Sequence, residues 1–225
     1  MNTDSYYSDK LAAERLRRCY EIATPRVKQY LEAEIKHVLA RITKNDIVLE
    51  LGCGFGRVLK RLCPAVFAAV GIDIAGPSLD LADKLLGGVP NYRLCLMNAA
   101  DLEFPDGFFD VVVCIQNGIS AFHMEPGELV KEAVRVTAKG GRVFFSSYSD
   151  RFWEDRLRWF YLQSEEGLIG EIDTGKTGNG EIVCRDGFRS TTVGPEKFGR
   201  IVSELGLEAE VTEVDGSSVF LEIAV

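Results

Sequence analysis

Apolar residues recur along the chain with two periods, and their alternation sets the expected order of elements. Leu11, Ala12, Leu16, Cys19, Tyr20 and Ala23 repeat at helical spacing, with Ser8 or Asp9 placed as an N-cap. Val27, Tyr30, Leu31, Ile35, Val38 and Leu39 mark a second helical face, opened by Pro25 at its first turn. Short apolar runs at 47–51, 66–74, 92–97, 111–113 and 142–147 then read as buried strands. Helical patterns at 57–63, 78–86 and 128–138 fall between them, the last two closed by Gly87-Gly88 and Gly140-Gly141. Strands alternating with helices predict a parallel, doubly wound sheet with helices on both faces.

Beyond Tyr148 the pattern changes. Residues 150–163 carry Phe152, Trp153, Leu157, Trp159, Phe160, Tyr161 and Leu162, a helix rich in aromatic residues. Such a stripe serves as core more often than as pocket. Two short runs, 182–185 and 188–193, flank Asp186-Gly187 and predict a hairpin. A last helix, 195–205, ends at Gly206, and 207–214 with 218–225 read as a closing antiparallel pair. The α/β class that results is a Rossmann-like, seven-stranded, mostly parallel sheet.

Composition narrows the function classes. The 225 residues contain 46% hydrophobic and 27% charged residues, enough for a substantial core in one domain. A net charge of −8 argues against nucleic acid as the main partner. No apolar run approaches the roughly twenty residues that cross a bilayer, and the polar, acidic start Met1-Asn2-Thr3-Asp4-Ser5 does not read as a signal peptide. No membrane partner is expected, and the expected location is cytoplasmic. The six cysteines have no CxxC spacing and read as reduced, mostly buried thiols. The two histidines, His37 and His123, are far apart, so no metal site is expected.

The stretch that carries chemistry is Ile47-Val48-Leu49-Glu50-Leu51-Gly52-Cys53-Gly54-Phe55-Gly56-Arg57. A strand that breaks into three alternate glycines gives a sharp turn and close access for a ligand. Arg57 stands where a dinucleotide fingerprint needs its third glycine. Glu50, at the strand's end, would repel a pyrophosphate but favour a cationic ligand. Both features argue against a nicotinamide-dependent oxidoreductase. The second strand ends at Asp73-Ile74, about twenty residues past the first glycine, where an acid takes ribose hydroxyls in nucleotide-binding α/β units. Glu50, Asp73 and Asp101 all fall at carboxyl ends of strands, where such sheets bind ligands.

This turn resembles motif I of the class I S-adenosylmethionine (SAM) dependent methyltransferases. The resemblance runs in register through Asp73, through Asn98-Ala99-Ala100-Asp101-Leu102, through Phe104-Pro105-Asp106-Gly107-Phe108-Phe109-Asp110 and through Lys139-Gly140-Gly141-Arg142. It implies SAM as cofactor, held by Glu50, Gly52, Cys53, Gly54, Gly56, Asp73, Ile74, Ala100, Asp101, Leu102 and Gln116. It also implies that residues 1–45 form a helical cover over the pocket, with Tyr6, Tyr7, Tyr20 and Arg26 in that segment, and that 148–194 is an insertion. The helix expected at 57–63 would offer its N-terminus to the methionine carboxylate.

The segment Gln116-Asn117 through His123 follows the fourth strand and supplies the acceptor-side residues expected, Gln116, Asn117 and His123. The Asn/Asp-Pro-Pro-Tyr/Phe signature of methyltransferases acting on bases or protein glutamine is missing. The expected reaction is therefore methyl transfer to a small-molecule acceptor by in-line displacement, with no general base identified. Two other readings stay open: an RNA or protein methyltransferase working with a partner subunit, and a non-catalytic SAM-binding domain. The segment 153–192, with its glycines and aromatics, reads either as an acceptor-facing lid or as a rigid hairpin extending the sheet. The acceptor and the oligomeric state are not set by these patterns.

Overall fold

The computed structural model describes Tyr6–Phe122 and Met124–Val225. Met1–Ser5 and His123 lie outside the described residues, as do the side chains of Ser8 and Asp9. The polar N-terminus, the helix cap and the acceptor-side reading of His123 therefore fall outside the described structure.

The central sheet has the order β3-β2-β1-β4-β5-β9-β8. Its members are β1 (Ile47–Leu51), β2 (Ala68–Asp73), β3 (Tyr92–Leu96), β4 (Phe109–Cys114), β5 (Thr137–Tyr148), β8 (Glu208–Val214) and β9 (Ser218–Ala224). The first five run parallel, and β9 joins β5 and β8 antiparallel. The buried β1 and β4 carry apolar residues on both faces, as strands covered by helices on both sides must. From β1 the chain moves outward to β2 and β3, then returns to the other side at β4. That reversal is the topological switch point, and a crevice opens there at the carboxyl ends.

Three apolar layers follow from this order. On one face α6 (Pro126–Val136) and α8 (Pro195–Leu205) bury Leu129, Val130, Ala133, Phe198 and Ile201 against the sheet. On the other, α3 (Pro25–Leu39), the single turn α4 (Leu59–Leu62) and α5 (Gly76–Leu86) bury Ile35, Val38, Leu59, Leu62 and Leu86. Thr24 caps α3, accepting from the Val27 N–H at 3.3 Å, with Pro25 at the first turn as expected.

A third layer sits over the carboxyl ends of the strands. It joins α1 (Tyr6–Asp9) and α2 (Ala13–Glu21) to α7 (Trp153–Glu165) and to the hairpin of β6 (Ile182–Val183) and β7 (Arg189–Ser190). Tyr6, Leu11 and Cys19 pack there with Trp159, Phe160, Ile172 and Phe188. Polar ties reinforce the contact: Trp159 Nε1 donates to the Cys19 carbonyl at 2.8 Å, and Arg15 donates to the Gly167 and Leu168 carbonyls.

The structure differs from the sequence pattern in four places. The first helix is broken between Asp9 and Ala13, where Ala13 takes φ +49° and gives its N–H to Ser78 Oγ on α5. The helix expected at 57–63 is one turn long, because residues 54–58 are spent on the glycine turn. The strand β5 begins at Thr137, before the two glycines, by pairing Thr137 with Phe109. The β6–β7 hairpin forms its own two-stranded sheet rather than an extension of the main one.

Gly71 in β2 shows how tightly the turn is packed. A Cβ there would lie 2.8 Å from Cys53 Sγ and 3.0 Å from Leu59 Cδ2. Gly71→Ala is expected to destabilise the fold by about 1–3 kcal/mol through overpacking. Urea denaturation followed by circular dichroism measures this; an unchanged midpoint would show that the turn yields freely.

Candidate functional site

The chain leaves β1 through Gly52, Gly54 and Gly56 at φ +69°, +52° and +80°, a left-handed region that glycine enters without Cβ strain. The turn is close against α5, since a Cβ on Gly56 would stand 3.0 Å from that of Ala82. It is pinned from β2: Cys53 N–H donates to the Ile72 carbonyl at 2.9 Å, and Gly54 N–H to Asp73 Oδ2 at 2.8 Å. The other oxygen of Asp73 accepts the Ala75 N–H at 2.8 Å. Burial raises the Asp73 carboxyl above its ordinary range, while these backbone donors hold it down.

Beside this turn lies a cavity of about 370 Å³. Glu50 projects into it from the end of β1 and is 6% exposed. Burial pushes its carboxyl from 4.5 to about 8, with the Arg57 guanidinium opposing the rise and Asp73 adding to it. One Glu50 oxygen, Oε2, has no hydrogen-bond partner. Arg57 also lines the cavity, with its guanidinium 4.4 Å from the Tyr20 ring centre and Nη2 donating to Gln116 Oε1. Its Nε is buried and unpartnered. Buried polar atoms left without a partner are uncommon and call for an explanation. Here both belong to residues that line the cavity.

At the end of β4, Gln116 and Asn117 take φ +60° and +63°, a costly conformation for residues with side chains. Fixed partners over-determine it. The Gln116 N–H donates to Glu34 Oε2 at 2.6 Å, and Ser146 Oγ donates to the same oxygen at 2.8 Å. Asn117 Nδ2 donates to the Thr191 carbonyl at 3.0 Å, and its Oδ1 accepts from Ser147 Oγ at 2.7 Å. Burial pushes the Glu34 carboxyl up to about 7, against these hydrogen bonds and the charge of Arg57.

The far half of the cavity is built by the covering layer. Tyr7, Tyr20, Tyr148, Trp159, Phe160 and Phe188 give it an aromatic wall. Gln163 also lines it, 3% exposed, and its carboxamide makes no hydrogen bond among the described residues.

The cavity brings together most residues singled out in the sequence. Glu50, Gly52, Cys53, Gly54, Asp73, Ile74, Ala100, Gln116 and Asn117 all line it. Gly56 shapes the turn without facing the cavity, Leu102 is buried in the sheet core, and Asp101 is exposed outside the lining. Both amides offered for the acceptor, Gln116 and Asn117, are engaged within the protein. Of the cover residues, Tyr7 and Tyr20 reach the cavity. Tyr6 donates to Asp186 at 2.7 Å, and Arg26 pairs with Asp215 at 2.6 Å. Arg57 and Tyr148 were not picked out for the site by sequence reasoning, and Trp159, Phe160 and Gln163 entered only as part of the 153–192 segment that could read as a lid. Helical spacing puts Trp159, Phe160 and Gln163 on one face, but it does not tell core from cavity wall. Among the described residues no cluster of His, Cys, Asp and Glu is arranged to hold a metal ion.

Comparison with known proteins agrees with this geometry. Residues 49–145 match the family model described as methyltransferase domain. The 2-methyl-6-phytyl-1,4-hydroquinone methyltransferase of Synechocystis is 28% identical over 72% of this chain and 58% of its own length. A ubiquinone biosynthesis O-methyltransferase of Nitrosospira multiformis is 26% identical over 80% of this chain and 68% of its own. The chain thus spans roughly 58–68% of the length of these two curated relatives. The N-methyltransferase NodS of Bradyrhizobium japonicum, solved with S-adenosylhomocysteine (SAH), shares the fold at a TM-score of 0.63 and 14% identity, covering 99% of this chain and 98% of that one. With the seven-stranded sheet and the glycine turn at its switch point, residues 49–145 carry a methyltransferase domain on the fold of the class I, SAM-dependent methyltransferases.

Proposed function

We propose that the chain transfers a methyl group from SAM to a small-molecule acceptor with an apolar, ring-bearing body. The observation that carries this is one continuous cavity with two unlike halves. Near β1 it is lined by Glu50 and Arg57, each of which keeps one buried polar atom without a partner. Beneath the cover it is walled by aromatic rings. The residues fit the cofactor: Glu50 suits an ammonium or sulfonium, Arg57 a carboxylate, and Asp73 the ribose hydroxyls. Arg57 takes over the role expected of a helix N-terminus, since α4 is too short to supply one. Gly52, Cys53 and Gly54 supply the close backbone surface, and Ile74, Ala100 and Gln116 complete that half.

SAM supplies an already activated methyl group. The protein's own work is to orient the acceptor, exclude water and hold the reacting atoms in line. Residues 6–45 and 148–194 act as the cover that does so, and the aromatic surface supports a planar acceptor. The two relatives whose names specify a hydroquinone and ubiquinone biosynthesis support the same class. A net charge of −8 supports a small acceptor over nucleic acid. Incubation with labelled SAM and separate pools of phenols, hydroquinones, amines and RNA tests the reading. Label is expected in the phenol or hydroquinone pool; label in RNA alone would overturn it.

Asp73→Ala is expected to weaken SAM binding about 10–100-fold per hydrogen bond lost, at 1.5–3 kcal/mol for a bond to a charged group. Asp73 also holds the Gly54 and Ala75 N–H groups, so Asp73→Asn serves as the milder companion. Titration calorimetry reads both; SAM affinity unchanged in a folded Asp73→Ala protein would remove Asp73 from the site.

Glu50 predicts a pH dependence with a defined sign. Its carboxyl keeps its proton in the ligand-free fold up to about 8, whereas an ordinary glutamate loses it near 4.5. The folded state therefore binds the extra proton, and ligand-free stability from this group falls as pH rises between those values. A cationic ligand favours the ionised form, so SAM affinity is expected to rise with pH up to about 8, by at most about tenfold per unit. Calorimetry across that range on the wild type and Glu50→Gln checks it. The variant should lose the rise; a rise that persists would assign it to another group.

A further inference from the structure

Beyond the cofactor half, α7 carries a charge that the methyl-transfer reading does not use. Arg156 is 1% exposed, and its guanidinium has no carboxylate within ion-pair distance among the described residues. Its Nη1 donates to the Gly180 carbonyl at 2.9 Å, and Nη2 to the Ser190 carbonyl at 2.7 Å and Ser190 Oγ at 2.9 Å. Nε is left without a partner. These contacts satisfy donors but cancel no charge. Buried charges are ordinarily paired, because an isolated ion in a low-dielectric interior is strongly destabilised.

Of the three rings around Arg156, Tyr148 and Phe160 are also walls of the cavity, while Trp153 lies outside its lining. Its guanidinium carbon lies 4.4 Å from the Tyr148 ring centre and 5.6 Å from that of Phe160. Tyr148, Phe160 and Ser190 all line the cavity, so the cation stands one side chain behind its surface. The ionisable groups that act on it are the phenols of Tyr148 (β5), Tyr30 (α3) and Tyr7 (α1). Burial raises all three, so none is an anion at neutral pH. The acids Glu34, Glu50 and Asp73 and the second cation, Arg57, belong to the switch-point end. Gln163 follows Arg156 by two helical turns on the same face, and its free carboxamide lines the cavity between rings. The two ends of the cavity therefore differ, with acidic side chains at the switch-point end and an uncompensated cation behind the acceptor wall.

Resting on the methyltransferase reading, we infer that the acceptor binds as an oxyanion, of the class of phenolates and similarly acidic hydroxyls, with Arg156 as its through-wall counter-charge and Gln163 as the donor that orients it. Arg156 is a positioning residue that sets the acceptor's ionisation rather than touching the reacting atoms. Such an acceptor arrives without its proton, so no general base is required. Its oxygen lone pair forms the C–O bond as the S–CH₃ pair returns to sulfur. An anion and a sulfonium then leave as a neutral ether and a thioether, and no proton moves.

The test uses the full chain with SAH bound and 4-nitrophenol as probe, because the yellow phenolate reports ionisation directly. With an effective dielectric near 20, a unit charge a few side chains away is worth about one pKa unit, or about tenfold. The bound probe is expected to ionise about one unit below its value in buffer, and its isostere 4-nitrotoluene to bind about tenfold more weakly than the phenolate. Arg156→Gln should abolish the shift and Arg156→Lys should keep most of it, with SAH affinity in both close to wild type. Should Arg156→Gln fail to fold, the wild-type comparison of 4-nitrophenol with 4-nitrotoluene decides alone. A probe that fails to bind the SAH complex, titrates unshifted, binds no better than 4-nitrotoluene or stays shifted in a folded Arg156→Gln protein overturns the inference. Those outcomes leave the cofactor reading standing, whereas a wild-type chain that takes up no SAH overturns both.

Discussion

The structure depends on the reversal of strand order between the parallel neighbours β1 and β4. A parallel sheet needs crossover helices, and helices placed to either side of that reversal diverge, leaving backbone ends without a covering layer. Every functional element described above is a response to that opening. The glycine turn after β1 brings the backbone close to the cavity, and Asp73 at the end of β2 holds the turn's Gly54 N–H with one oxygen and the Ala75 N–H with the other. The strained pair Gln116 and Asn117 at the end of β4 is held by Glu34, Ser146 and Ser147.

A gap between elements would fill with water unless something covered it. Here the cover comes from both sides of the core sequence, as α1 and α2 meet α7 and the small hairpin in a shared apolar layer. The two segments are about 150 residues apart in the chain, so neither can form this layer alone. Their contact is anchored by specific polar ties, among them Trp159 to the Cys19 carbonyl and Tyr6 to Asp186. The roof is therefore an aromatic surface with a few fixed polar points, suited to gripping a ring-bearing molecule.

The charges inside the cavity follow the same geometry. Burial raises Glu34 and Glu50 because the strand ends are dry, and Arg57 moderates both. The unpartnered atoms of Glu50 and Arg57 would be a cost without a ligand. A zwitterionic, sulfonium-bearing ligand converts that cost into binding energy.

Local pattern alone determined the order of strands and helices, the class of the sheet, the glycine turn and the acid at Asp73. Those features are set by near neighbours: apolar runs bury, alternate glycines turn, and an acid twenty residues on falls at the next strand's end. The tertiary structure decided what depends on residues far away. It broke the first helix at Ala13 through Ser78, and cut the helix after the turn to four residues. It also spent the amides of Gln116 and Asn117 on internal ties, because their partners Arg57, Leu31 and Thr191 come from other segments. The face of α7 that carries Arg156, Trp159, Phe160 and Gln163 reads in sequence as core or wall alike. Only packing against Tyr148 and the N-terminal helices turned it toward the cavity, since helical periodicity reports which residues share a face but not what that face meets.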